Sequence, residues 1–143
     1  MPRPRAQAHP AGLSDARVFL DKAREFLRAA QDSLELSNNT AAVGNAVHAG
    51  ILASDAISAV RTRTVWRGEH AQAAGHLETA GEDGKLAARQ LRRLLPMKTR
   101  AEYEPAPIRP ADARAAVQAA ERLVALATAA DAAAPPGTQS GSN

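Results

Sequence analysis

Residues 40–62, TAAVGNAVHAGILASDAISAVRT, decide the fold of this chain. Apolar side chains recur on every side of the helix that this stretch predicts. A helix that is apolar all round usually lies at the centre of a domain. Alanine, which dominates the stretch, is the best helix former and a poor strand former. The sequence therefore predicts a central helix surrounded by other helices.

Amphipathic patterns flank this central helix on both sides. From Ala16 to Leu34, apolar residues recur at helical spacing opposite a charged face. Two shorter helices are predicted over about 70–80 and 83–95, and Pro96 is expected to break or kink the second. Pro110 suits the first turn of a last helix, which carries apolar residues at the same spacing.

The whole chain is therefore expected to fold as an all-α, up-and-down bundle of four to five helices. No segment shows the alternating β-branched pattern of a strand. We expect the helical domain to span residues 13–131. Residues 1–12 and 132–143 lack periodicity and are rich in Pro or in small polar residues, so we expect disordered tails there.

Composition excludes several classes of protein. The 143 residues suit one domain, and the absence of cysteine excludes disulfides and thiolate metal sites. The four histidines lack the spacing of a metal site, so neither a metal nor a cofactor is expected. No secretory signal is recognisable, and no apolar run approaches the roughly 18–20 residues that span a bilayer. We therefore expect a cytoplasmic protein without a membrane segment.

Charge is unevenly distributed along the chain. Residues 61–100 hold nine basic and four acidic residues, a net charge of +5, although the whole chain carries only +3. Such an excess is typical of a surface that faces RNA or nucleotide phosphates. It is equally typical of arginines that are solvated on outer helix faces.

The few polar residues of the central helix form a narrow stripe. At about 100° per residue, Asn45, His48 and Asp55 fall within roughly 80° of one another. Buried polar groups need partners. This stripe is therefore interpreted either as a set of contacts in the core or across a dimer interface, or as the lining of a site.

Four segments in this order resemble a known family. They are AVHAGILASDAI (46–57), WRGEH (66–70), LRRLLPMKTRAEYEP (91–105) and ADARAAVQAAERLV (111–124). Together they make the chain similar to the HEPN superfamily of α-helical domains, and within it to small actinobacterial members that consist of this domain alone. The resemblance covers about residues 13–127.

The resemblance implies a helical bundle that pairs into a homodimer and binds RNA or nucleotides. Some HEPN members are metal-independent endoribonucleases. Others are the toxin half of a toxin–antitoxin pair, encoded beside a nucleotidyltransferase antitoxin. The positions that match are Asp55, His70, Lys98, Arg100 and Tyr103.

Ribonuclease members carry an Arg, four to six residues, and then a His. Here Arg63 and His70 match that spacing and are the candidate catalytic residues. The histidine would act as general acid or base on the RNA, and the arginine would stabilise charge on the phosphate. However, the spacing arises easily by chance among 15 arginines, and the late segment around Tyr103 has no histidine.

The function predicted from these observations is RNA or nucleotide binding through a basic surface, without catalysis. Arg67, Lys98 and Arg100 would contact phosphates, and Trp66 and Tyr103 would stack on bases. The alternatives are ion pairs with Glu102 and Glu104 for Lys98 and Arg100, and packing onto the bundle for the rings of Trp66 and Tyr103. The alternative functions are an endoribonuclease toxin and a non-catalytic protein–protein interaction module.

Overall fold

The computed structural model describes residues 7–135, and within them the predicted all-α bundle is confirmed. Five helices follow one another along the chain, with two three-residue strands. The elements are β1 (Ala8–Pro10), α1 (Leu13–Glu35), α2 (Asn39–Thr62), β2 (Thr64–Trp66), α3 (His70–Leu77), α4 (Gly81–Tyr103) and α5 (Pro110–Ala132).

The central position predicted for residues 40–62 is confirmed, because α2 packs against α1, α4 and α5. Its small side chains let the neighbouring helices approach closely. At Gly50, an added Cβ would lie 2.4 Å from Leu94 Cδ1 and 3.1 Å from Leu123 Cδ1. Both leucines are fully buried and have little room to move. Gly50 is therefore the point where α2 contacts α4 and α5 together.

Within the described residues, α2 is also the one helix long and apolar enough to cross a membrane by length and composition. The expectation that no apolar run approaches this length was therefore too strict. However, 67% of its most apolar 18-residue window is buried inside the bundle. That is the environment of a core helix in a soluble protein, which passes the same test.

The expectation of a disordered tail over residues 1–12 is wrong for its second half. β1 pairs antiparallel with β2, with His9 opposite Val65. The Ala11 backbone N–H also donates to the Arg63 carbonyl at 2.9 Å. Three residues are too few for an alternating pattern, so the sequence carries no periodicity that would reveal this strand. Residues 1–6 and 136–143, which hold the rest of the predicted tails, lie outside the described residues.

The end of α2 and the course of α4 also differ from expectation. Arg63 adopts a left-handed conformation with φ 56° as the C-cap of α2, and the predicted basic loop then continues as β2. Pro96 does not end α4, which runs on to Tyr103. Met97 and Ala101 pack against the core on the far side of the proline. Their burial keeps the chain helical although the ring removes one backbone hydrogen bond.

Candidate functional site

A pocket opens where the β2–α3 segment crosses the C-terminal half of α2. Its volume is about 130 Å³. The strand pair holds this segment in place, because the backbone N–H of Arg67 donates to the carbonyl of Gln7 at 2.8 Å. The pocket is lined from α2 by Ile51, Ser54, Asp55 and Ser58, from the crossing segment by Trp66, Arg67, Gly68 and His70, from α3 by Ala73, His76 and Leu77, and from α4 by Leu91 and Leu95.

An ion pair between Asp55 and Arg67 lies in this lining. Arg67 Nη1 is 3.3 Å from Asp55 Oδ2, and the guanidinium lies 5.8 Å from the centroid of the Phe19 ring. The Asp55 side chain is only 13% exposed, whereas that of Arg67 is 45% exposed. Burial raises the pKa of Asp55 to about 6, and the nearby Arg67 charge and hydrogen bond offset only part of that rise.

His76 is the centre of a hydrogen-bonded group beside the ion pair. Its Nε2 lies 3.3 Å from Ser58 Oγ and 3.2 Å from Thr64 Oγ1. Thr64 Oγ1 in turn lies 2.6 Å from Thr62 Oγ1, which donates to the Ser58 carbonyl at 2.8 Å. Partial burial lowers the pKa of His76. The histidine therefore links α2, β2 and α3 as a neutral side chain.

Trp66 forms one wall of the pocket and is held on several sides. Its ring centroid lies 5.4 Å from that of His76, and its Nε1 donates to the Glu69 carbonyl at 2.9 Å. The ring also passes close to Gly68, where an added Cβ would lie 2.7 Å from Trp66 Cζ2 and 2.9 Å from Gln7 Cγ. Only glycine at position 68 leaves room for this arrangement, so Gly68 fixes the position of the wall.

A shallower groove continues from the pocket along α4. It has a volume of about 620 Å³ and shares His70 and Leu95 with the pocket. Arg92 and Lys98 supply its positive charge, and Glu69 contributes one carboxylate. Arg92 pairs with Glu78 at 2.8 Å and Lys98 with Glu102 at 3.2 Å. Exposed pairs of this kind contribute little to stability because water and salt screen them, so an incoming phosphate can compete with them.

The structure brings together four of the residues singled out in the sequence. Asp55, Trp66, Arg67 and His70 all line the pocket, and Lys98 lies in the adjoining groove. Trp66 also has the alternative role weighed for it, because its ring packs on the bundle, and the Arg67 guanidinium is ion-paired. The parts of Trp66 and Arg67 that are not used in these contacts face the pocket.

Arg63 is separated from His70 by its role at the end of α2. Its guanidinium donates to the carbonyl oxygens of Val60 and Ala59, two of the last acceptors of that helix. It does not line the pocket that holds His70. Among the described residues His70 makes no hydrogen bond, so no neighbour orients its ring. The catalytic assignment of this pair stays a prediction.

The other predicted residues lie away from the pocket. Asn45 and His48 are on the same face of α2 as Asp55 but nearer its start, and the His48 ring packs 5.1 Å from that of Phe26. Arg100 pairs with Asp112 at 3.1 Å. Tyr103, at the end of α4, is 75% exposed. Its packing onto the bundle is therefore not observed.

His76 is the pocket residue that sequence reasoning missed as part of a site. The spacing of the four histidines excludes a metal site but does not reveal that His76 meets Ser58 and Thr64 in the fold. In residues 7–135, no group of three or more His, Asp or Glu side chains is placed to hold a metal ion.

Comparisons with known proteins give no family for this chain. No model of a known protein family matches the sequence, and no curated protein is significantly similar to it.

Proposed function

We propose that this chain is a non-catalytic helical module that binds single-stranded RNA or a nucleotide, with one base in the pocket and the phosphates in the groove along α4. The observation that carries this proposal is the continuity of the two depressions through His70 and Leu95. An aromatic wall beside apolar side chains suits the faces of a base, and a cationic groove suits a phosphate backbone.

The size of the pocket supports a single base as its occupant. A volume of about 130 Å³ is close to the ~150 Å³ of an engineered cavity that admits benzene. It is well below the roughly 300–1,000 Å³ of pockets that enclose a drug-sized ligand. The sugar and phosphate of a nucleotide would therefore lie outside the pocket, where Arg92 and Lys98 are within the adjoining groove.

A metal-independent ribonuclease is the second candidate function. The observation that favours it is that His70 and Arg92 line the same groove. Two observations weigh against it. Arg63 is bound to α2 carbonyl groups, and no described residue hydrogen-bonds to His70. A general acid or base is normally oriented by such a bond.

Three companion proposals come from the sequence. A location in the cytoplasm rests on its composition, whereas association as a homodimer and a role beside a nucleotidyltransferase antitoxin rest on the resemblance to HEPN domains alone. A sedimentation measurement of the purified protein tests the dimer directly. A mass equal to one chain at micromolar concentration would argue against it.

Trp66 gives a direct test of the main proposal, because it is the only tryptophan of the chain. Titration of the protein with a mixed-sequence single-stranded hexaribonucleotide in EDTA is expected to quench its fluorescence. Ala73→Leu places a larger side chain in the pocket and is expected to weaken binding about tenfold or more. Ala115→Leu, the same change at an exposed position of α5, is the matched control.

The outcomes separate the candidate functions. The binding module is supported if RNA quenches the fluorescence of the wild type, Ala73→Leu weakens that quenching and Ala115→Leu leaves it unchanged. Absence of binding at low salt overturns it. If gels show that the wild type cleaves the RNA and His70→Ala does not, the ribonuclease replaces it.

A further inference from the structure

The Asp55–Arg67 pair gives the pocket a hydrogen-bonding pattern as well as a charge balance. We propose that it selects guanine, by accepting the two N–H donors of the base on Asp55 and offering Arg67 to its O6. This inference rests on the proposed function and names the base that the same pocket takes.

The charge of the pair narrows the class of ligand. A cationic ligand would meet the guanidinium of Arg67, and an anionic one would meet the carboxylate of Asp55. Because the two charges are already paired at 3.3 Å, a neutral group with complementary donors and acceptors fits better. The apolar side chains that line the pocket beside the pair, Ile51, Leu91 and Leu95, favour a flat, largely apolar ring.

The hydrogen-bonding atoms of the Asp55–Arg67 pair determine which ligand edge fits the pocket. Oδ2 of Asp55 accepts from Arg67, and Oδ1 has no hydrogen-bond partner among the described residues. An ionised carboxylate only accepts, and a guanidinium only donates. A ligand edge that faces both must therefore present donors toward Asp55 and an acceptor toward Arg67.

Guanine is the RNA base with this edge. Its amino group and its ring N–H are adjacent donors, and its O6 acceptor follows them. Adenine and cytosine each place a ring-nitrogen acceptor beside their one amino group, and uracil flanks its N–H with two carbonyl oxygens. Each of these would bring an acceptor against the Asp55 carboxylate.

The low exposure of Asp55 makes the mismatch costly. With 13% of the side chain exposed, water has little access to a carboxylate oxygen once a base fills the pocket. A buried acceptor that faces another acceptor loses the hydration it had in the free protein. Sites built to hydrogen-bond a ligand reject analogues that lack the matching group far more strongly than apolar pockets do.

The test compares hexauridylates that carry one central guanosine, adenosine, cytidine or inosine, using Trp66 fluorescence at pH 7.5. We expect the guanosine oligonucleotide to bind about tenfold or more tightly than the adenosine and cytidine ones, the range of a good bidentate contact. Inosine lacks only the 2-amino group and is expected to fall between them. Asp55→Asn is expected to bind the four with nearly equal affinity.

Asp83→Asn is the matched control, because Asp83 is also ion-paired with an arginine, Arg61, but lies outside the pocket lining. It is expected to keep the guanosine preference. If Asp55→Asn fails to fold, the comparison of guanosine with inosine in the wild type decides the role of the amino donor. Equal affinity of the wild type for all four oligonucleotides overturns the selectivity and leaves the RNA-binding module standing. No binding of any of them overturns both proposals.

Discussion

Asp55 carries a carboxylate that is 13% exposed and is paired with one half-exposed guanidinium. Burial raises its pKa from an ordinary 3.8 to about 6. Arg67, His70 and His76 are the other charged or titratable groups of the pocket. Burial lowers the pKa of His76, which favours the neutral form of that ring.

The raised pKa predicts how stability changes with pH. Between pH 3.8 and 6 the folded protein holds a proton on Asp55 that the unfolded chain has released, so this group stabilises the fold at low pH. The contribution is lost as pH rises through 6, by roughly 3 kcal/mol over that range. Asp55→Asn removes this dependence and is expected to be as stable as the wild type, or more so, at pH 7.

Urea denaturation at pH 4, 5, 6 and 7 measures this difference. The difference in unfolding free energy, Asp55→Asn minus wild type, is expected to increase from pH 4 to 6 and to level off between pH 6 and 7. Asp83→Asn reports the effect of an ion-paired aspartate outside the pocket. A difference that is the same at all four values would show that Asp55 titrates as an ordinary carboxyl group.

Gly68 leads to a prediction about the pocket wall. A methyl group there would lie 2.7 Å from Trp66 Cζ2, so Gly68→Ala is expected to displace the indole, shift its emission and abolish the quenching by RNA. Gly44→Ala, on the central helix, meets nothing within 4 Å. It is expected to keep binding and to stabilise the protein by up to about 1 kcal/mol. Unchanged emission and binding in Gly68→Ala would show that Trp66 is not fixed as described.

The strand pair is the element that connects the N-terminal segment to the pocket. Deletion of residues 1–10 removes β1 and the Gln7 carbonyl that accepts from Arg67, while the five helices remain. We expect the far-UV circular dichroism to stay helical, stability to fall by about 1–2 kcal/mol, and RNA binding to weaken severalfold. A shorter deletion of residues 1–6 is the control. Equal binding by the two truncated proteins would contradict this role of β1.

The helices and strands differ in how well they could be predicted from the sequence. Long apolar periodicity predicted α1, α2 and α5 correctly, because each buries a continuous face or is buried on all sides. The three residues of β1 were missed because pairing with β2 is a tertiary contact without local periodicity. The break expected at Pro96 does not occur, and the partly buried Met97 and Ala101 pack against the core beyond it.

The residues that line the pocket were predicted less completely than the helices. The polarity of Asp55 on an apolar helix and the composition of the segment around Trp66 pointed to the region where the pocket lies. His76 was not identified, because its partners Ser58 and Thr64 are 18 and 12 residues away along the chain and meet it only in the folded bundle.

In the whole molecule, few of the basic residues in the segment 61–100 are left without a partner. Most of its cations have partners in the fold. Arg63 binds helix carbonyl groups, and Arg61, Arg67, Arg92, Lys98 and Arg100 pair with carboxylates. Only Arg92 and Lys98 of these line the groove along α4. A count of basic residues therefore overstates the number of cations in the proposed RNA-binding groove.

The contrast between two cations in the groove and nine basic residues in the segment predicts how RNA binding depends on salt. Each phosphate contact to a single strand adds about −0.7 to the slope of the log binding constant against log salt concentration. Two cations would therefore give a slope of about −1.4. All nine basic residues of the segment would give about −6. Titrations of Trp66 fluorescence from 50 to 300 mM KCl measure the slope. Arg92→Gln is expected to reduce its magnitude by about 0.7. Arg109→Gln, at an 82% exposed position outside the groove, is expected to leave it unchanged. A slope of about −4 or steeper would mean that RNA runs over a much broader surface than this groove, and the base pocket would then contribute only part of the binding.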